Sequence, residues 1–131
     1  MVTPVKDTDA MIAGMAPKRA PGQFVFCTTS EPGLLSQAVA SMREDEGMSL
    51  ILPVEIATEH GFDTAMPMAQ ITLHVYSALD GVGLTAAVAT ALAEVGIPCN
   101  MVAGHHHDHA FVPVAQADAA LACLTALARS A

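Results

Sequence analysis

Apolar and polar positions follow a regular pattern most clearly in residues 68–114 of the chain. Apolar and polar side chains alternate over residues 71–76, which predicts a strand, because successive side chains of a strand point to opposite faces. An apolar stripe at steps of three and four follows and predicts a helix over residues 84–95. Residues 99–103 and 110–114 predict two more strands joined by a hairpin. This stretch is therefore expected to fold as strand, helix, strand, strand.

The ends of the predicted helix carry their own signals. Asp80 is a candidate N-cap, since a carboxylate there can accept hydrogen bonds from the first N–H groups of a helix. Gly96 suits the left-handed residue that closes a helix, and Pro98 stops its continuation. A last helix is predicted over residues 116–128, where alanines and leucines line one face.

The first half of the chain repeats this order with weaker signals. Residues 23–28, 38–42 and 48–53 predict strands, and residues 30–34 predict a turn or a single helical turn after the first of them. Residues 54–60 predict a short helix that ends at a glycine. A short helix over residues 7–15 is expected before them, ended by two prolines.

The two halves therefore predict two similar βαββα units, residues 1–67 and residues 68–131. No repeat of individual residues is visible, so the similarity lies in the pattern alone. Each half is too small to bury a sufficient core by itself. The expected fold is an α+β body in which the two units pack together.

Composition and charge limit the partners of this chain. With five Lys and Arg together and a formal net charge of −8, it would repel nucleic acid and anionic membrane surfaces. No apolar run reaches the roughly 20 residues that span a bilayer, and the N-terminus lacks the apolar core of a signal peptide. Three widely spaced cysteines without a CxxC motif indicate reduced thiols and a cytoplasmic location.

Several segments carry a recognisable signature. Residues 80–87 (DGVGLTAA), 92–97 (LAEVGI) and Asn100 resemble an ACT domain. Together with residues 24–28 and 104–112, they are similar to a family of small stand-alone bacterial proteins built from tandem ACT-like units. The resemblance implies the ferredoxin-like βαββαβ fold and a regulatory, ligand-binding function.

The chain departs from the ACT pattern in two places. No final strand is predicted after the last helix, which ends close to Ala131. His105 and His106 stand where the family pattern leads us to expect tyrosines after Gly104.

The resemblance implies that an amino acid binds near the glycine-rich turn, at an interface between ACT units. Free N–H groups at a helix N-terminus suit its carboxylate, and Asp80 could bind its ammonium group. Alternatively, Asp80 caps the helix and Gly83 allows close packing of helix and sheet. The candidate ligand-binding residues are Asp80, Gly81, Val82, Gly83, Leu84, Thr85, Asn100 and Met101.

Four histidines and an aspartate occupy residues 105–109. His105, His107 and His109 share one face if the segment is extended, and imidazoles favour zinc or nickel. They are the candidate metal ligands, and no other cofactor is expected. Alternatively, they form a solvated hairpin tip or bind the ligand or a partner subunit.

No catalytic constellation stands out in the sequence. Cys27 and Cys99 lie between apolar neighbours, where burial makes a thiol unreactive, and no serine has a GxSxG context. The sequence therefore predicts a non-enzymatic, cytoplasmic regulatory protein that binds an amino acid and forms a homo-oligomer. The alternative is a metal-binding or structural interaction module that uses the histidine-rich hairpin.

Overall fold

A computed structural model describes residues 3–131 of the chain, and within them it contains four α-helices, seven strands and two 3-10 helices. In chain order the elements are α1 (Thr8–Ala13), β1 (Pro17–Arg19), β2 (Phe24–Thr29), a 3-10 helix (Pro32–Gln37), β3 (Ala40–Glu44), β4 (Gly47–Pro53), α2 (Val54–Glu59), β5 (Met68–Leu73), α3 (Leu84–Glu94), β6 (Asn100–Ala103), β7 (Asp108–Pro113), a 3-10 helix (Val114–Gln116) and α4 (Ala117–Ser130). The mixed α+β fold class that the sequence predicts is confirmed.

Most predicted elements differ from the observed ones by one or two residues, but β5 begins and ends three residues earlier than expected. It ends at Leu73, whereas the alternating pattern extends to Tyr76. After Leu73 the backbone turns to another partner, because Val5 forms a parallel bridge with Ser77. Alternation alone does not show where a strand exchanges one neighbour for another.

The chain divides into two compact units. The larger unit consists of residues 3–20 together with Ala69–Ala131, and the smaller unit is Pro21–Met68. The predicted division at residues 67 and 68 follows the repeated pattern along the sequence, whereas these units follow the packing of side chains. By packing, residues 3–20 group with Ala69–Ala131.

The larger unit contains a sheet in which β5 lies between β1 and β7, with β6 beyond β7. β1 runs antiparallel to β5, and β6 runs antiparallel to β7. Apolar side chains of α1, α3 and α4 cover one face of this sheet and form its core. The largest fully buried members of that core are Met11, Met15, Ile71, Leu73, Leu92 and Leu124.

β1 is the strand that the sequence did not predict. Pro17 lies opposite Leu73 and Arg19 opposite Ile71, and the pairing continues as the Ala20 N–H donates to the Gln70 carbonyl at 2.8 Å. The larger unit thereby gains a fourth strand from a segment that lies before the first predicted strand, residues 23–28. Within residues 3–131, no strand follows α4. The additional strand of this sheet is β1, which precedes the predicted strands.

The smaller unit is a three-stranded antiparallel sheet in the order β3, β4, β2. The 3-10 helix Pro32–Gln37 and α2 pack against it. Its core is small and consists of Val25, Leu34, Leu50, Leu52 and Ala57. Within residues 3–131, no helix has the length and apolar character needed to cross a membrane.

Candidate functional site

A glycine-containing loop, residues 77–83, connects the end of the β5 segment to α3. We call it the glycine loop. Gly83 is the N-cap of α3 with φ of +109°, a left-handed conformation that glycine adopts without a steric penalty. No side chain caps α3, so its first N–H groups point toward the loop without intrahelical acceptors.

The prediction that Asp80 caps this helix is wrong. Asp80 lies three residues before the N-cap, and its carboxylate accepts a hydrogen bond from the Lys6 ammonium at 2.9 Å. This hydrogen bond, followed by the charge of Lys6, lowers the pKa of Asp80. Because its side chain is 75% exposed, solvent screens the pair, and its contribution to stability is small.

A cavity of about 150 Å³ lies beside the glycine loop in the larger unit. Backbone and side chains of the loop, the start of α3, α1, β6 and β7 line it. The lining residues are Met11, Ser77, Ala78, Leu79, Gly81, Gly83, Leu84, Thr85, Ala103 and Asp108. The cavity thus combines apolar walls with the hydroxyl groups of Ser77 and Thr85, the carboxylate of Asp108 and the N-terminus of α3.

The structure brings half of the candidate ligand-binding residues together at this cavity: Gly81, Gly83, Leu84 and Thr85. Asp80 and Val82 belong to the same loop but point to solvent, and Val82 is 76% exposed. Asn100 and Met101 lie at the other end of β6, paired with Phe111 and Ala110, while Ala103 is the β6 residue that lines the cavity.

Six of the ten lining residues were not among the candidates, and Asp108, Ser77 and Met11 are three of these six. Asp108 begins β7, and its carboxylate accepts a hydrogen bond from the Ser77 hydroxyl at 3.2 Å. In the sequence Asp108 belongs to the histidine cluster, and its position opposite Ser77 depends on the register of the sheet. Met11 is far away in sequence, and only its place on the apolar face of α1 could have indicated burial.

The histidines that follow Gly104 do not converge on one point. His105 and His106 surround Tyr76, with ring centroids 6.1 and 5.3 Å from the tyrosine ring. His107 stacks against His74, with ring centroids 5.3 Å apart.

His109 lies apart from the other histidines and contacts β5. Its Nδ1 is 3.0 Å from Thr72 Oγ1 and 3.1 Å from Gln70 Nε2. The three candidate metal ligands, His105, His107 and His109, therefore face different neighbours. Across residues 3–131, no group of three or more His, Cys, Asp or Glu side chains is arranged to hold a metal ion.

Sequence comparison identifies the family. One ACT domain profile matches residues 3–69, and a second ACT domain profile matches residues 67–126. The chain belongs to the ACT domain family. The ACT resemblance and the two tandem units predicted from the sequence are thereby confirmed. ACT domains are regulatory rather than catalytic, and this sets the class of function for the chain.

Solved structures similar to this ACT protein support the same fold. A Vibrio cholerae protein of unknown function, described as a possible transport protein, is 41% identical over 88% of this chain and 92% of its own, with a TM-score of 0.80. An Agrobacterium tumefaciens protein is 18% identical over 86% of this chain and 87% of its own, with a TM-score of 0.65.

The regulatory subunit of aspartate kinase from Thermus thermophilus, in its ligand-free form, is also similar. It is 10% identical over 87% of this chain and 97% of its own, with a TM-score of 0.62, so the likeness concerns the fold alone. The comparison with curated proteins gave no match.

The structure of this ACT protein perturbs the titration of His109. Burial lowers its pKa below the ordinary value of 6.5, and His107 and His74 act in the same direction while Asp108 opposes them. The unfolded chain therefore takes up a proton at a higher pH than the folded chain does. Protonation of His109 favours unfolding.

We expect acid to destabilise the protein in part through His109. Above pH 6.5 the group contributes nothing to the pH dependence, and stability falls as the pH drops from 6.5 toward the lowered pKa. His109→Gln should reduce the loss of unfolding free energy between about pH 7.5 and about pH 5, measured by urea denaturation. His60→Gln, at an exposed histidine that ends α2, is the control. Equal pH slopes in all three proteins would contradict the assignment.

The three cysteines of the ACT protein are free thiols within half-buried positions. Burial raises the pKa of Cys27 and of Cys99, which lowers the fraction of reactive thiolate at neutral pH. The Cys123 thiol donates to the Ala91 carbonyl at 3.5 Å. These environments agree with the unreactive thiols expected from the sequence.

Proposed function

We propose that this ACT protein is a non-enzymatic regulator that binds a small α-amino acid in the cavity beside the glycine loop. The observation that carries the proposal is that one cavity is lined both by the carboxylate of Asp108 and by the start of α3. The first provides negative charge, and the second provides free N–H groups and the positive end of a helix dipole.

An α-amino acid carries the complementary pair of charges on one carbon atom. Its carboxylate suits the N-terminus of α3, where Leu84 and Thr85 line the cavity. Its ammonium group suits Asp108, whose carboxylate is half-buried and retains acceptor capacity beside the Ser77 hydroxyl. The geometry favours Asp108 over Asp80 for this role, because Asp80 points to solvent and already binds Lys6.

The size of the cavity favours a small ligand. Its volume of about 150 Å³ is below the roughly 300–1,000 Å³ of pockets that hold drug-sized molecules. The apolar walls formed by Met11, Leu79 and Leu84 suit a short aliphatic side chain. We infer that the ligand is an amino acid with few atoms beyond Cβ.

Regulation would follow if ligand occupancy biased assembly or docking. A site that stabilises one arrangement of units shifts the equilibrium between arrangements by the difference in affinity. We therefore propose that the protein acts as a homo-oligomer in the cytoplasm, where its three free thiols remain reduced.

A thermal-shift screen against the twenty amino acids tests the ligand class. A ligand at 100 times its dissociation constant adds about 2.7 kcal/mol to the free energy of unfolding, which raises Tm by several degrees. We expect one or a few small amino acids to do this. No shift from any amino acid would contradict the proposed function.

Asp108→Asn tests the site in the same assay. Loss of a charge-assisted hydrogen bond to the ammonium group should weaken binding about ten- to a hundredfold, measured by isothermal titration calorimetry. Asp118→Asn, at an exposed aspartate in the first turn of α4, is the matched control and should bind normally. Unchanged affinity in Asp108→Asn would contradict the proposal that Asp108 binds the ammonium group.

A further inference from the structure

The N-terminal segment of the chain lies directly on the glycine loop. We call residues 5–11 the N-terminal strap. Its backbone joins the loop in a short parallel bridge between Val5 and Ser77. The Val5 N–H donates to the Tyr76 carbonyl at 2.6 Å, and the Ala78 N–H donates to the Val5 carbonyl at 2.7 Å.

Two side chains of the strap hold the outer part of the loop. The Lys6 ammonium donates to the Asp80 carboxylate at 2.9 Å, and the Thr8 hydroxyl donates to the Val82 carbonyl. The strap thus makes three polar contacts with the glycine loop and one with Tyr76 directly before it, all between residues more than seventy positions apart in sequence.

Met11, the last residue of the strap, reaches the cavity itself. Its side chain is fully buried and lines the cavity together with Asp108 and Thr85. A Cβ atom built on Gly81 would lie 3.1 Å from Met11 Sδ, so the thioether packs closely against the loop backbone. The strap is therefore a wall of the cavity as well as a clamp on the loop.

The strap depends on this docking for its own structure. α1 has six residues, which is too short for a stable isolated helix in water. Asp7 caps it, since its carboxylate accepts from the Ala10 N–H at 2.9 Å, and Met11 and Ile12 anchor it in the core. If Met11 and Ile12 left the core, α1 would lose the packing that stabilises it and would unfold. We therefore expect the strap to be helical only while it is docked on the loop.

We propose that the N-terminal strap completes the ligand site by closing the cavity beside the glycine loop, and that Met11 sets the size of the ligand. This inference rests on the proposed function for the chemistry of the ligand, whereas closure by the strap stands on contacts within the protein. A small amino acid fits while the strap is docked. A branched or aromatic side chain meets the Met11 thioether.

Closure by the strap is tested without a ligand. Ser77→Cys places a thiol of similar size on the cavity wall, and iodoacetamide labelling of that peptide, followed by mass spectrometry, measures access to it. Adding Lys6→Ala and Thr8→Ala removes both side-chain clamps, and labelling should become about five- to tenfold faster. Lys18→Ala, at an exposed lysine of β1, is the matched control. Equal labelling rates in the clamp variant and the control would overturn the proposal.

The role of Met11 is tested with the twenty amino acids as probes for the full-length protein. Met11→Ala should improve binding of larger aliphatic amino acids at least tenfold relative to the preferred small one. Met11→Leu, which conserves volume, should keep the original preference. An unchanged order of affinities in Met11→Ala would overturn the assignment of Met11.

The two experiments separate the possible failures. If no amino acid binds the unaltered protein but loosening the strap speeds the labelling of Ser77→Cys, the amino acid proposal fails and closure stands. If amino acids bind and the labelling rate does not respond to the strap, the proposed function stands and closure fails.

Discussion

Gly83→Ala should lower the free energy of unfolding by about 2–4 kcal/mol and abolish amino acid binding. The φ of +109° at this position is unfavourable for any residue with a Cβ atom. The added Cβ would also lie 2.7 Å from Thr8 Cγ2. Threonine is rigid about χ1, and its hydroxyl is bonded to Val82, so it cannot turn aside without losing that bond. Urea denaturation and calorimetric titration measure the two losses.

Other glycines of the chain provide matched controls for the two causes. Gly96 also has a positive φ, of +74°, but a Cβ there would meet nothing within 4 Å, so Gly96→Ala isolates the conformational cost. Gly33 has neither feature, and Gly33→Ala should be nearly neutral. If Gly83→Ala lowers the free energy of unfolding by no more than Gly96→Ala does, the close contact between the added Cβ and Thr8 makes no contribution to the loss.

A double-mutant cycle assigns the clash to its partner. In a Thr8→Ala background, Gly83→Ala should cost about 1 kcal/mol less than in the original protein, because the methyl and hydroxyl groups that face Gly83 are gone. Additive changes in the free energy of unfolding would show that Thr8 and the Cβ atom at position 83 do not interact, and would contradict the clash.

Met15→Ala should lower the free energy of unfolding by about 2–5 kcal/mol, the range for removing a fully buried large side chain. Met15 has no exposed surface and belongs to the core of the larger unit, although it precedes the smaller unit in sequence. Loss of its contacts should increase hydrogen exchange in α3 and α4. Exchange in β2–β4 should change less, because those strands belong to the smaller unit.

Met66→Ala is the matched control for this truncation. Met66 is 69% exposed, so the same chemical change should alter stability by no more than about 0.5 kcal/mol. If Met15→Ala resembled Met66→Ala, or if its exchange increased mainly in β2–β4, the grouping of residues 3–20 with Ala69–Ala131 would be wrong.

Sequence patterns predicted the elements whose signals are local. α3 and α4 follow from apolar stripes along their own residues, and β7 follows from a run of apolar residues between turn signals. β1 could not be predicted in this way. Its three residues, Pro17–Arg19, have no apolar alternation, and it is a strand because β5, more than fifty residues later, offers free backbone groups.

In the candidate site, too, the sequence predicted the residues that have a local signature and not those that are positioned by contacts distant in sequence. Gly81, Gly83 and Thr85 could be found because a glycine-rich turn before a helix has a local signature. The choice between Asp80 and Asp108 depends on which carboxylate faces the cavity, and this is set by the partners Lys6 and Ser77. Contacts with residues distant in sequence leave no pattern in the local spacing of either aspartate.

The interleaved order of the two units bears on how the protein is made. Residues 3–20 leave the ribosome before the helices and strands they pack against, which are complete only at about residue 130. At roughly 5–20 residues per second, the apolar anchors Met11, Ile12 and Met15 wait for several seconds or more without their partners. The smaller unit, Pro21–Met68, is complete once residue 68 has been added, well before the larger unit is complete. The nascent chain thus carries an uncovered apolar segment in residues 3–20 that chaperones can bind, and this segment reaches its native contacts only after residues 69–131 have been made.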